Sequence, residues 1–121
     1  MVEGDNTMRK PTHPGEILRL DILPNTRIPI TMIARLLRIS RQQLHRILMG
    51  ESPVTPMTAV RLGALFKNDA QFWLNLQAKY DIWQARQKLG HDLEVLESLS
   101  PANGRAAAVA ALEQMVEVEA K

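Results

Sequence analysis

The 121-residue chain contains no cysteine, which excludes disulfides, thiolate metal sites and cysteine nucleophiles together. Its three histidines, His13, His45 and His91, lie far apart with no recurring ligand spacing, so neither a zinc nor an iron site is expected. No apolar run approaches the roughly 20 residues of a membrane span, and the opening "MVEGDNTMRKPTHPG" lacks the apolar segment of a secretory signal. A cytoplasmic location is the expectation. Alternating β-branched patterns are missing apart from short ambiguous runs, which leaves an all-α chain. Acidic residues are absent from 22–50, the interval that holds Arg27, Arg35, Arg38, Arg41 and Arg46.

That last absence gives the modest net charge of +2 a direction. Residues 1–50 carry eight Lys or Arg against four Asp or Glu, and residues 51–121 carry seven against nine. A basic, acid-free interval suits a polyanion, although taken alone it reads better as a solvated face with no partner. Hydrophobic residues at 45% and charged residues at 23% fit an ordinary globular chain, and the length fits one domain with a small appendage.

Helix signals run the length of the chain. After a flexible tail over 1–12, "HPGEILRLDIL" starts a first helix, with Pro14 at an early helical position, Glu16 at the positive end of the dipole, and Leu18 and Ile22 on one face. Pro24 in "PNTR" breaks it. A second helix begins near Pro29, with Ile30, Ile33, Ala34 and Leu37 as its inward stripe. A turn around Arg38 and Ile39 leads to a third helix, "ISRQQLHRILMG": Ser40 is an N-cap type, Leu44, Ile47 and Leu48 face inward, and Gly50 supplies a left-handed stop. Two helices joined by so short a turn fit a helix-turn-helix.

Thr55 and Pro56 open a fourth helix, whose inward residues are expected to be Val60, Ala64 and Leu65 or Phe66. Asp69 caps a fifth, on which Phe72, Trp73, Leu76, Tyr80 and Trp83 fall within about a third of a turn. Such an aromatic stripe is read as core packing rather than a ligand pocket. Gly90 ends this helix; "HDLEVLESLS" adds an amphipathic segment, Ser100 to Gly104 is a breaker, and an Ala-rich helix follows. The domain proper spans 13–89, with a helical extension over 90–121.

At 100° per residue, turning Leu44, Ile47 and Leu48 inward points Gln42 and Arg46 directly outward, flanked by His45 and Met49. Ser40 and Arg41 sit at the N-terminal end, which meets the target first when such a helix enters a major groove. Arginine can pair with guanine and glutamine with adenine, while Ser40 and Thr31, at the start of helix two, suit phosphates. Gln43 points sideways, and both it and His45 read almost as readily as plain surface residues.

The stretches "HPGEIL" and "ARLLRISRQQLHRILMGESPVTPMTAVRLGALFKNDAQFWLNLQAKYDIW" closely resemble the HigA/VapI family of antitoxins, within the Xre class of helix-turn-helix regulators. The resemblance covers about residues 13–87, and "HPGEIL" together with "FWLNLQ" is more specific than a helix-turn-helix alone. It implies a five-helix lambda-repressor-like domain, homodimeric, bound to palindromic operator DNA. It also implies neutralisation of a HigB-type, mRNA-cleaving toxin and repression of the shared operon. Carried over by position, Ser40, Arg41, Gln42, His45 and Arg46 match base and phosphate contacts, and Thr31 a backbone contact. Three positions depart from the pattern. Arg38 stands where the turn usually has glycine, Pro29 where helix two usually has a polar cap, and Lys67 where glycine precedes the fifth helix.

Two alternatives remain beside the antitoxin: an orphan Xre-type regulator with no toxin, and a protein-interaction module that no longer reads DNA. An enzyme is not expected, because Asp69, Asp81 and His91 form no constellation of nucleophile, base and oxyanion donors. No cofactor is implied. Leu74 and Ile82 of the fifth helix, off the aromatic stripe, are the candidate dimer surface, with the tail as alternative.

Overall fold

A computed structural model describes residues 9–99 and 104–120, with side chains of the last helix to residue 115. Residues 1–8 of the expected tail and all of the expected breaker except Gly104 lie outside that range. Among the described residues seven α-helices run in order: α1 Pro14–Ile17, α2 Ile30–Leu36, α3 Arg41–Leu48, α4 Pro56–Phe66, α5 Ala70–Leu89, α6 His91–Ser98 and α7 Gly104–Ala120. No strand occurs among the described residues, in accord with the all-α, helix-turn-helix expectation.

The chain forms two compact units, Met1–Trp83 and Gln84–Lys121, and the division falls within α5 rather than at its end. In the first, Leu18, Ile33, Ala34, Leu37, Leu44, Ile47, Leu48, Val54, Ala59, Leu62 and Trp73 form one buried cluster. Full burial of each larger apolar side chain is worth about 1.5–3 kcal/mol, so this cluster is what fixes α2 against α3. In the second unit, α6 packs on α7, with Val95 and Ala111 buried.

Local chemistry explains the boundaries. Beyond Ile17 the first helix widens into a π turn over Leu18–Ile22 and then tightens into a 3-10 turn over Leu23–Asn25. Pro24 cannot donate to the ladder, and Asn25 Nδ2 instead donates to the Asp21 carbonyl at 2.7 Å. The Ser40 and Thr55 hydroxyls cap α3 and α4, and Asp69 Oδ1 accepts from the Gln71 amide at the head of α5.

Two inward stripes differ from expectation. On α4 the buried residues are Thr58, Ala59, Leu62 and Gly63; Val60 is 60% exposed and Ala64 is exposed, with Leu65 and Phe66 half-buried against the core. At Gly63 the chain leaving α4 folds back closely: a Cβ there would stand 2.6 Å from the Asn68 carbonyl oxygen. Likewise the aromatic stripe of α5 is only partly core. Trp73 is fully buried and Tyr80 nearly so, whereas Phe72 is 42% exposed and Leu76 and Trp83 are half-buried. Leu74 packs against the core, so of the two residues expected on a dimer surface only Ile82 is exposed.

Candidate nucleic-acid interface

Helix α3 begins where the Ser40 hydroxyl accepts from the Gln43 amide at 2.9 Å. It is held by Leu44, Ile47 and Leu48, all buried. With that side committed, Arg41, Gln42, His45 and Arg46 are exposed, and Gln43 is half-buried at the flank. Ser40 is exposed but already serves as the helix cap; its hydroxyl proton remains available to donate to a phosphate oxygen. Thr31 is exposed in the first turn of α2. The structure thus brings Ser40, Arg41, Gln42, His45 and Arg46 onto one outward surface, sets Gln43 at its margin, and places Thr31 on the neighbouring helix.

The charge around this surface is uncompensated. Arg27, Arg35, Arg38, Arg41 and Arg46 are all exposed, and the one ion pair among the described residues, Arg86 with Glu97 at 3.8 Å, lies elsewhere. Arginines without carboxylate partners keep their full attraction for phosphates.

The turn that leads into α3 is built on Arg38 in the left-handed region, φ 64°. Its amide donates to the Arg35 carbonyl at 3.1 Å and the Ile39 amide to the Ala34 carbonyl at 3.0 Å. This is the Schellman pattern that glycine usually closes, and half-buried Ile39 packs on the core beyond it. The arginine therefore takes the geometry of the glycine instead of altering the turn. Lys67, at φ 61°, does the same at the end of α4, where the Asn68 amide bonds to the Gly63 carbonyl at 3.0 Å. Pro29 is the N-cap of α2 and supplies no side-chain bond to it.

Hydrogen bonds of buried side chains hold the frame. His13 is buried: its Nδ1 accepts from the Gly15 amide at 2.8 Å, and its ring meets Tyr80 edge-on at 4.8 Å. Gln77 is buried too; its Oε1 accepts from the Val54 amide and its Nε2 donates to Asp81 Oδ1, both at 2.8 Å. Trp73 Nε1 donates to Asn68 Oδ1 at 2.8 Å. Of these, only Gln77 left a signal in the sequence, a polar residue between Trp73 and Tyr80 on the inward side of α5.

No family-level sequence model matches the chain. Individual proteins do. It is 34% identical over 108 residues to the uncharacterized HTH-type transcriptional regulator YbaQ of Escherichia coli, covering 84% of this chain and 96% of that one. It is 39% identical over 75 residues to virulence-associated protein I of Dichelobacter nodosus, covering 62% and 69%. Among solved structures, the Pseudomonas aeruginosa antitoxin HigA with higBA promoter superimposes with a TM-score of 0.65 at 35% identity, over 75% of this chain and 97% of that one. With its helix-turn-helix geometry and these likenesses over most of its length, the chain belongs to the HigA/VapI family of helix-turn-helix transcriptional regulators and antitoxins.

Proposed function

We propose that this chain is a sequence-specific DNA-binding repressor that acts as a homodimer and serves as the antitoxin of a type II toxin-antitoxin pair. It places two copies of α3 in successive major grooves, about 10 bp apart centre to centre. Gln42 and Arg46 read base edges; Ser40, Arg41 and His45 add base or phosphate contacts, Gln43 contributes from the margin, and Thr31 reaches a phosphate. The observation that carries this reading is the division of α3 into a fully buried apolar side and an exposed arginine, glutamine and histidine side amid unpaired arginines. That a relative was solved with its promoter supports it. The partner toxin is of the HigB ribonuclease type, and the repressed operon is its own. An apolar stripe of Met57 and Val60 on α4, 65% and 60% exposed, supports pairing with a second copy.

Selection from a random pool of duplexes should enrich a two-fold symmetric site, with binding that weakens steeply with salt. Gln42→Ala and Arg46→Ala should each reduce preference for that duplex over random DNA, whereas Arg27→Ala and Arg35→Ala should weaken both alike. Failure to enrich any site, or unchanged preference in the Gln42 and Arg46 variants, refutes readout by α3. Light scattering of the free chain tests the dimer, and co-purification with the product of the adjacent reading frame tests the toxin.

A further inference from the structure

The far end of α3 is held by more than the core. Gly15 of α1 lies so close to it that a Cβ there would run into the Ile47 carbonyl oxygen. Arg19, from the π turn that continues α1, donates through Nε to the Leu48 carbonyl at 3.3 Å. This carbonyl has no partner within the helix, because it belongs to the last turn, and a cation is favoured at that end of the dipole. The His13 ring lies against Gly50, the left-handed residue that stops α3, within 3.6–3.8 Å of where a Cβ would be. His13 also accepts the Gly15 amide and meets the Ser52 backbone just past α3. The three residues fall at 13, 15 and 19, and their contacts at 47, 48, 50 and 52: one short segment grips the whole C-terminal end of α3.

We propose that His13 and Arg19 are positioning residues for sequence readout, which with the close approach at Gly15 clamp the C-terminal end of α3 and so fix the angle at which Gln42 and Arg46 are presented. The core fixes where α3 sits; three apolar residues on one side leave it free to roll and tilt about that side. Contacts at its end remove that freedom. Phosphate contacts tolerate such tilting because a guanidinium on a long stem can follow its target, but paired contacts to a base edge do not. Loosening the clamp should therefore cost discrimination more than affinity for DNA in general.

This inference rests on the reading of α3 as the base-reading helix, and the test separates the two. The probes are a fluorescein-labelled duplex selected by the wild-type chain and a random duplex of equal length, titrated against the full chain with folding checked by circular dichroism. Wild type should prefer the selected duplex; no preference refutes the reading of α3 and not the clamp alone. In His13→Ala and in Arg19→Met the affinity ratio should fall about tenfold, on the order of one paired base contact, while random-DNA affinity changes less. His13→Asn should leave the ratio as low as in His13→Ala, since an asparagine N-cap oxygen restores the Gly15 bond but not the ring that lies against Gly50. A folded His13→Ala or Arg19→Met protein that keeps the wild-type ratio overturns the proposal. So does a His13→Asn protein that discriminates as well as wild type, because the cap of α1 then suffices without the grip on α3. If His13→Ala does not fold, Arg19→Met decides alone.

Discussion

Replacing Arg38 with glycine should stabilise this protein. Arg38 sits at φ 64° in the left-handed region, where an L side chain crowds the following carbonyl, at a cost of about 1–2 kcal/mol. Its side chain is exposed and no ion pair fixes it, so little favourable contact offsets that strain. Glycine removes the strain but enlarges the freedom of the unfolded chain, which returns about 0.5–1 kcal/mol. The balance is a gain of about 0.5–1 kcal/mol. For a unit ending at Trp83, this corresponds to a melting temperature higher by roughly 2–8 °C. The assay is thermal denaturation of wild type, Arg38→Gly, and Lys67→Gly as a companion, because Lys67 at φ 61° carries the same strain outside α2 and α3. Both variants should melt higher. If neither does, the left-handed conformation is not strained at these turns. If Lys67→Gly rises and Arg38→Gly falls, the Arg38 side chain stabilises the fold through a contact that its exposure does not suggest. Either result refutes the reasoning. Where Arg38 also reaches a phosphate, Arg38→Gly should lower the salt slope of random-DNA binding by about one, so that stability and affinity move in opposite directions.

Gln77→Leu keeps the bulk of the side chain but leaves the buried Val54 amide without its acceptor, so it should cost about 1–3 kcal/mol in urea denaturation; an unchanged midpoint would show that the link from α5 to the segment before α4 is dispensable. His13 is held below its ordinary value of 6.5, first by burial, with Lys10 adding to the effect and Asp81, the Ser52 backbone and Glu16 opposing it. Because the unfolded chain then binds the proton more readily, the contribution of neutral His13 is complete above pH 6.5 and is lost as the pH falls from 6.5 through the lowered folded value. Wild type should accordingly lose more stability between pH 7.5 and 5.5 than His13→Asn, and equal losses would place the acid sensitivity elsewhere.

Periodicity made the helix-turn-helix legible, because on α3 the stripe is short, strictly apolar and bounded by Ser40 and Gly50, each of which does at the helix end what its chemistry suggests. The same reasoning misplaced the buried side of α4. There the buried side includes Thr58, Ala59 and Gly63 beside Leu62, and at Gly63 the chain folds back too closely for a side chain, which hydrophobicity cannot announce. On α5 it counted Phe72 as core for being aromatic, though a helix of 20 residues carries its stripe beyond the cluster it packs on. The contacts of His13 and Gln77 were illegible for another reason. Both are polar residues with buried, fully specific bonds, and the partner cannot be read from spacing when the partners lie 13 or more residues away, as Val54, Gly50 and Tyr80 do.

The two ends of α3 are secured by different means, and the difference bears on how such a helix can change its target. At the entry, the Schellman turn at Arg38 and the Ser40 cap are local and involve backbone groups within six residues. At the exit, the hold comes from α1, a segment remote in sequence. Between them, Gln42, Arg46 and the other outward side chains make no bond that the fold requires. Substitutions at these outward positions belong to the class that leaves stability within about 0.5 kcal/mol. On the proposed reading, specificity can be rewritten residue by residue on a helix held at both ends. The segment 13–19, which carries none of the outward residues of α3, on that reading bears on every base contact through the geometry it maintains.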